Sequence, residues 1–337
     1  MTIIMDGKKF AETIRAKVKE DTDALNKFGI NVGLALLLVG NNPASRQYFQ
    51  ATLKAAEKAD IKIYEYLLPE SASINEILNV VHSNNQDERI NGLLVLFPLP
   101  RRINARRVVN AIRTEKDVDG LGSLAIGRLA ADESTFQIFK EGAYERLYES
   151  QFMPATSSFL PCTPFGVIRL LEHYRIPIKG KHVVMVGKSL AVGKPLSTMF
   201  LAKEATVTLC HRETPDLAHF TKQADIVCSA TGITGLIKGD MIRQGAVVVD
   251  IGISVLPGGS IVGDVDYASA KERASFITPV PGGVGPVTIA ILLENTVRSA
   301  KQRTVFNDPL SYPFERFARW INGWQQKRPM TEIKTGG

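Results

Sequence analysis

The sequence predicts a two-domain α/β protein built mostly on parallel sheets. The chain has 337 residues, a length that fits about two domains. Apolar, strand-sized runs alternate with helix-patterned stretches almost throughout, the order that parallel sheets with crossover helices require. That rhythm breaks once, at residues 130–158, between two halves that each keep it.

In the first half the strands are GLALLLV (33–39), IKIYEYLL (61–68) and NGLLVLFPLP (91–100), with helical patterns near 8–28, 43–59, 72–84 and 104–113. In the second half they are HVVMVG (182–187), TVTLCH (206–211), DIVCSAT (225–231) and AVVVDIGI (246–253), separated by helix-like segments. Within the interruption, Tyr144, Leu147, Tyr148 and Phe152 fall at i, i+3, i+4 and i+8, which predicts one amphipathic helix. It is read as a lid over a cleft or as an inert surface elaboration. From residue 304 onward, Phe314, Phe317, Trp320, Ile321 and Trp324 form a second stripe. A helix docked on the body is the ordinary use of such a stripe, and a partner-binding helix is the alternative. No internal repeat or low-complexity tract is present.

Composition narrows the function classes. No apolar run approaches the roughly 20 residues needed to span a bilayer, and the start, MTIIMDGKKF, lacks a signal-peptide layout. Cys162, Cys210 and Cys228 form no CxxC and no metal spacing, so no metal site is expected and a reducing, cytoplasmic setting is. Lys and Arg number 41 against 34 Asp and Glu, a net charge of +7 without a basic run interleaved with aromatics. That balance fits anionic small molecules rather than nucleic acid.

VVMVGKSLAVGKPL (183–196) reads as a strand, a glycine turn and a helix start. Gly187 and Gly193 would let backbone amides approach a phosphate at the positive end of the helix. The spacing is not G-x-G-x-x-G, so the motif alone is weak; the βαβαβ pattern after it strengthens it. About 20 residues on, the next strand ends at His211-Arg212, following Lys188-Ser189 in the turn. A cation there suits the 2′-phosphate of NADP. Glu213, one residue further, keeps NAD as the alternative, and a solvated basic turn is the reading without a ligand.

The segments VGNNPASRQYFQ (39–50), KDVDG (116–120), PCTPFG (161–166) and TPVPGGVGPVTIAILLENT (278–296) together resemble the methylenetetrahydrofolate dehydrogenase/cyclohydrolase family. VGKSLAVGKP (186–195) and GAVVVDIGI (245–253) extend the likeness over most of residues 1–300 in order. The resemblance implies a folate-binding α/β domain and a Rossmann-like dinucleotide-binding domain flanking a cleft. The folate unit is expected to span 1–158 and 289–337, including the insertion 130–158 and a C-terminal extension 304–337; the cofactor unit spans 159–288. It also implies a homodimer and an enzyme that oxidises 5,10-methylenetetrahydrofolate to the methenyl cation, with NADP as hydride acceptor. Many family members then hydrolyse that cation to 10-formyltetrahydrofolate.

Carried over residue by residue, Asp119 matches the family's pterin-recognising carboxylate, and Tyr48 matches the tyrosine that packs on the folate. A carboxylate can accept two parallel hydrogen bonds from the pterin, although an Asp in a DVDG loop is more often a turn former. Pro281, Gly282 and Gly283 fall at the substrate, where glycine lets the loop approach closely. The cofactor positions are Gly187, Lys188, Ser189, Val192, Gly193, His211, Arg212, Gly285 and Pro286.

Two positions depart from the family. Its active-site lysine, four residues after the tyrosine, aligns with Thr52, and its glutamine aligns with Leu96 in VLFPLP. Lys54 lies roughly 200° round the helix from position 52, and Lys58 lies about 15 Å along the axis from Tyr48. Neither replaces the missing amine. Hydride transfer asks mainly for positioning, whereas hydrolysis asks for a group that titrates near neutral pH. The expectation is therefore an NADP-dependent methylenetetrahydrofolate dehydrogenase with weak or absent cyclohydrolase activity. A non-catalytic folate-binding or regulatory paralogue and a repurposed folate-dependent one-carbon enzyme are the alternatives.

Overall fold

The structure, a computed structural model, describes residues 1–131 and 158–307. The amphipathic patterns at 144–152 and 314–324 lie outside the described residues.

The first sheet has three parallel strands: β2 (Gly33–Val39) at the centre, β3 (Lys62–Leu68) on one side and β4 (Gly92–Val95) on the other. Strand β2 is buried along its whole length because both of its faces are covered. Leu34, Leu36 and Leu38 pack with Phe10, Ile14 and Val18 of α1 (Gly7–Lys27) and Phe49 of α2 (Pro43–Lys58). Ala35, Leu37 and Val39 point the opposite way, onto Ile77 and Val81 of α3 (Ile74–Gln86). A continuous apolar run is thus one strand serving two cores.

Several predicted elements come out shorter, among them the strands expected at 225–231 and 246–253, which span Ile226–Ser229 and Val247–Asp250. The run 91–100 leaves the sheet after Val95, since Pro98 and Pro100 have no N–H to continue a ladder. The helix predicted at 104–113 is only α4 (Ala105–Val109). Beyond it the Asn85 side chain takes over the backbone, donating to Ala111 O at 2.7 Å and accepting from Arg113 N at 3.0 Å.

The second sheet is parallel and six-stranded. Its order is β6 (Thr206–Cys210), β5 (His182–Val186), β7 (Ile226–Ser229), β8 (Val247–Asp250), β11 (Phe276–Ile277) and β1 (Ile3–Ile4). Strand β1 was not legible in the sequence. Met5 N donates to Ile277 O at 2.8 Å, so the N-terminal residues hydrogen-bond to the second sheet although the expected division counts them with the first unit.

The sheets share one core. Val183 and Met185 of β5 belong to the same apolar cluster as Leu34 and Leu36 of β2, joined through α1, α6 (Cys162–His173) and α10 (Val284–Asn307). Helix α10 is buried on nearly all sides from Val287 to Val297, as a helix between two layers must be. Arg169 of α6 and Glu294 of α10 close the helix pair with a half-buried ion pair at 2.5 Å.

Candidate active site

Each sheet reverses its strand order once: between β2 and β4, and between β5 and β7. Ligands of open α/β sheets bind at the carboxyl ends of the strands beside such a reversal. Both sets of predicted residues sit there.

At the first reversal, Asn42 caps α2 by accepting from Ser45 N at 3.1 Å, with Pro43 in the first turn, where its missing N–H is harmless. Ser45 Oγ donates to Phe97 O at 2.8 Å, which ties the start of α2 to the loop after β4. Tyr48 follows one turn later. Burial raises its phenol pKa well above the ordinary value, and Asp119 and Cys162 add to the rise. Tyr48 and Asp119, distant in sequence, therefore lie close together, and Cys162 completes the cluster.

The two carboxylates of KDVDG divide their work. Asp117 is buried and forms the turn, accepting from Gly122 N at 2.8 Å and Leu121 N at 3.3 Å. Burial raises it to about 6. Asp119 is half-buried and faces Tyr48. Burial, and then Asp117, push it up to about 7, while hydrogen bonds from the Cys162 thiol and N–H pull it back. The turn-former reading belongs to Asp117, which leaves Asp119 available as an acceptor.

Thr52 is 0% exposed and Leu96 is 3% exposed. Thr52 Oγ1 donates to Tyr48 O at 2.8 Å, the back-bond of a helical threonine. Lys54 and Lys58 are exposed. Lys116, three residues from Asp119, turns its Nζ to Asn84 O at 2.7 Å and Asp87 O at 2.8 Å, at the end of α3. Burial lowers its pKa to about 8, but its hydrogen bonds go to the end of α3 and not to Tyr48 or Asp119. Among the described residues, the charges that act on Tyr48, Asp119 and Cys162 are those of acidic groups, Asp117 and Asp119 among them.

At the second reversal, Gly187 ends β5 at φ +111°. A Cβ there would lie 2.5 Å from Ala230 O, and one on Gly193 would lie 1.9 Å from Gly187 O. Only glycine lets this turn close and bring α7 (Gly193–Ala202) against the strand end. Ser189 Oγ accepts from Val192 N at 3.2 Å and Gly193 N at 3.3 Å, capping the start of α7. Lys188 is exposed beside it. Gly187 N donates to Cys210 O at 2.9 Å, so the turn lies next to His211-Arg212. His211 Nδ1 accepts from Glu213 N at 3.2 Å, and the exposed Arg212 pairs with the exposed Glu213 at 3.1 Å. A cradle closed by two glycines, a capped helix start and an exposed guanidinium fit a dinucleotide with its phosphates at the turn.

The loop 281–286 links the two halves. Gly282 has φ +107°, and its carbonyl accepts from Lys8 N at 3.0 Å. A Cβ on Gly7 would lie 1.8 Å from Gly283 O, so α1 starts directly against the loop. Pro281 is exposed, and Gly285 and Pro286 open α10. Across from it, the hairpin β9 (Ser254–Val255) and β10 (Ile261–Val262) brings Gly259 O to 3.4 Å from Gln47 Nε2, one residue before Tyr48.

Several residues here escaped the sequence reading. Cys162 stood in a quoted motif but had no expected role. Asn295 likewise stood in the quoted segment 278–296 without a role, and it donates to Val118 O at 2.9 Å. Asp250 and Asp264 brace the strand ends below the loop. Asp250 accepts from Asp264 N and Val265 N at 3.0 Å, and Asp264 accepts from Ser229 Oγ at 2.9 Å and Thr231 N at 2.6 Å. A carboxylate closing a strand run (VVVD, GDVD) was the only available signal.

Comparison with known proteins agrees with this layout. The family model "Tetrahydrofolate dehydrogenase/cyclohydrolase, catalytic domain" matches residues 5–119, and the family's "NAD(P)-binding domain" matches 161–304. The bifunctional protein FolD of Aquifex aeolicus is 45% identical over 90% of this chain and 97% of its own. The crystal structure of FolD, methylenetetrahydrofolate dehydrogenase/cyclohydrolase, from Campylobacter jejuni is 42% identical, with TM-score 0.79 over 90% of this chain and all of that one. The Trypanosoma brucei enzyme, solved with NADP cofactor and inhibitor, is 33% identical, with TM-score 0.78 over 90% of this chain and 99% of that one.

Proposed function

Because the chain belongs to the tetrahydrofolate dehydrogenase/cyclohydrolase family, we propose that it oxidises 5,10-methylenetetrahydrofolate to the methenyl cation with NADP as hydride acceptor, and that it hydrolyses that cation slowly or not at all. In this reading residues 1–158 and 289–337 form the folate unit and 159–288 the cofactor unit of a cytoplasmic homodimer.

The observation that supports the split is that the two departing positions, Thr52 and Leu96, are buried and bring no titrating group. The buried Thr52 hydroxyl is engaged by Tyr48 O, and Leu96 has no polar atom to offer. Asp119 accepts the pterin's N–H groups and Tyr48 packs on the ring system, which fixes the reacting carbon. Lys188, Ser189 and the start of α7 hold the cofactor's phosphates, and Arg212 meets a 2′-phosphate. Gly282, Gly283 and Gly285 keep the loop free of side chains where the two ligands meet. Alignment of that kind serves hydride transfer. Activation of water needs a proton acceptor near neutral pH. Asp119 titrates in that range, at about 7, but its acceptor sites face the pterin.

The names of the relatives favour a second reading, in which the chain keeps both activities. One paired assay separates the two: nicotinamide reduction with methylenetetrahydrofolate, and decay of methenyl absorbance in the same preparation. The expected result is reduction without accelerated decay. Decay as fast, relative to reduction, as in a bifunctional relative overturns the split. Absence of reduction overturns the dehydrogenase.

A further inference from the structure

Helix α10 carries Asn295, Ser299 and Arg303 on one face, at i, i+4 and i+8. All three reach backbone carbonyls in the first half of the chain. Asn295 Nδ2 donates to Val118 O at 2.9 Å. Ser299 Oγ lies 2.6 Å from Glu115 O and 2.6 Å from Asn91 O, and its single proton serves one of them at a time. Arg303 Nη1 donates to Ile90 O at 2.7 Å. Ser299 is 0% exposed and Asn295 is 2% exposed, so no solvent stands in for these donors.

The contacts bear on Asp119. Val118 O belongs to the planar peptide that joins Val118 to Asp119, so a donor on that oxygen fixes the plane from which the Asp119 side chain leaves. The downstream side of the loop is braced from within, by Asp117 on Leu121 N and Gly122 N. The upstream side is tied to α10 through Asn295 and Ser299, and to the end of α3 through Lys116 Nζ. The Cys162 thiol, a weaker donor, shares Val118 O at 3.2 Å. The first turn of the same helix carries Gly285 and Pro286 of the cofactor loop, roughly 13 Å along the axis from Asn295. Burial between the layers and the Arg169–Glu294 ion pair make that helix a stiff strut.

We propose that Asn295, supported by Ser299, is a positioning residue: it holds the Val118–Asp119 peptide in a fixed relation to the cofactor loop, so that a folate gripped by Asp119 presents its reacting carbon to the nicotinamide. The proposal rests on the reading of Asp119 as the pterin's partner and of the chain as a dehydrogenase. Hydride transfer tolerates little error, since a misplacement of about 1 Å can cost about 10²-fold. A donor that only stabilised the fold would leave the chemistry of folded molecules alone. A positioning donor would not.

The test is NADP reduction by the full chain, with each ligand varied in turn for KM and both saturating for the single-turnover rate. Asn295→Ala is expected to raise the folate KM about tenfold and to lower the single-turnover rate about ten- to hundredfold. The NADP KM should stay within about twofold. Ser299→Ala is expected to show the same pattern at about two- to fivefold, because Glu115 lies further from Asp119.

An unchanged single-turnover rate in Asn295→Ala overturns the proposal, and so does a parallel rise in the folate and NADP KM. If Asn295→Ala loses NADP binding, Ser299→Ala decides: a slower single turnover with NADP still bound supports the proposal, and an unchanged rate overturns it. Loss of NADP binding in both variants also overturns it, because the donors then hold up the fold itself. If the unaltered chain reduces no nicotinamide, the dehydrogenase reading falls by itself. Calorimetric binding of 5-formyltetrahydrofolate, a stable folate with the same ring, then tests the grip: about tenfold weaker binding by Asn295→Ala supports it and equal binding overturns it. Failure of the unaltered chain to bind that folate overturns both.

Discussion

The Thr52 hydroxyl donates to the Tyr48 carbonyl, 2.8 Å away and one turn back on the same helix. It is a bond between an engaged side chain and the backbone of the residue proposed to pack on the folate. Thr52→Val is therefore expected to cost no more than about 1.5 kcal/mol of stability and to leave nicotinamide reduction within about twofold. Thr52→Lys combined with Leu96→Gln is expected to accelerate methenyl decay by about 10²–10⁴-fold. Decay assays on both variants check the pair of outcomes. No gain in the double variant would mean that the defect lies elsewhere.

Asp119→Asn removes a charged acceptor while keeping its shape. An amide offers one acceptor oxygen where the carboxylate offers two. The loss of a charge-assisted bond, about 1.5–3 kcal/mol, corresponds to roughly a ten- to hundredfold rise in KM for the folate. NADP affinity should not change, because the glycine cradle is built from other elements. Steady-state kinetics with each ligand varied in turn measures both.

The same carboxylate gives the chain a pH signature. Its folded pKa, about 7, is raised above the usual value near 3.8, so between these limits the native state holds more protons than the unfolded one. Stability from this group is present below the lower value and falls as pH rises through the upper one. Asp117 and Asp250, each raised to about 6, act in the same direction. Asp119→Asn lacks its share of that slope. Its melting temperature relative to the unaltered chain is expected to climb from about pH 5 to 8, as scanning calorimetry would show.

Gly193→Ala tests the cradle. Its Cβ would fall 1.9 Å from Gly187 O, a backbone atom that cannot swing aside. Loss of NADP binding, or of the fold, is the expected result. Arg212→Ala is the milder probe: its guanidinium is exposed, so only the 2′-phosphate contact should go. NADP affinity is expected to drop about tenfold with NAD affinity unchanged, a change of about 1.4 kcal/mol. Equal losses for both cofactors would remove Arg212 from phosphate recognition.

The sequence by itself determined the parallel α/β architecture, because a strand covered on both faces must be apolar without alternation, and GLALLLV and HVVMV are. It also determined the glycine turn, since Gly187 and Gly193 are the residues such a closure admits, and the Tyr48–Asp119 pair through whole motifs. Tertiary structure alone decided the rest. Ile3–Ile4 carries no strand pattern and becomes an edge strand only because Phe276–Ile277 offers open hydrogen bonds. Which Asp of KDVDG is structural depended on where Gly122 N lies. Asn295 and Cys162, far apart in the chain, converge on Val118 because α10 and α6 pack together in the core. Local periodicity records which faces an element buries; which distant atom lies against that face is set only when the layers close.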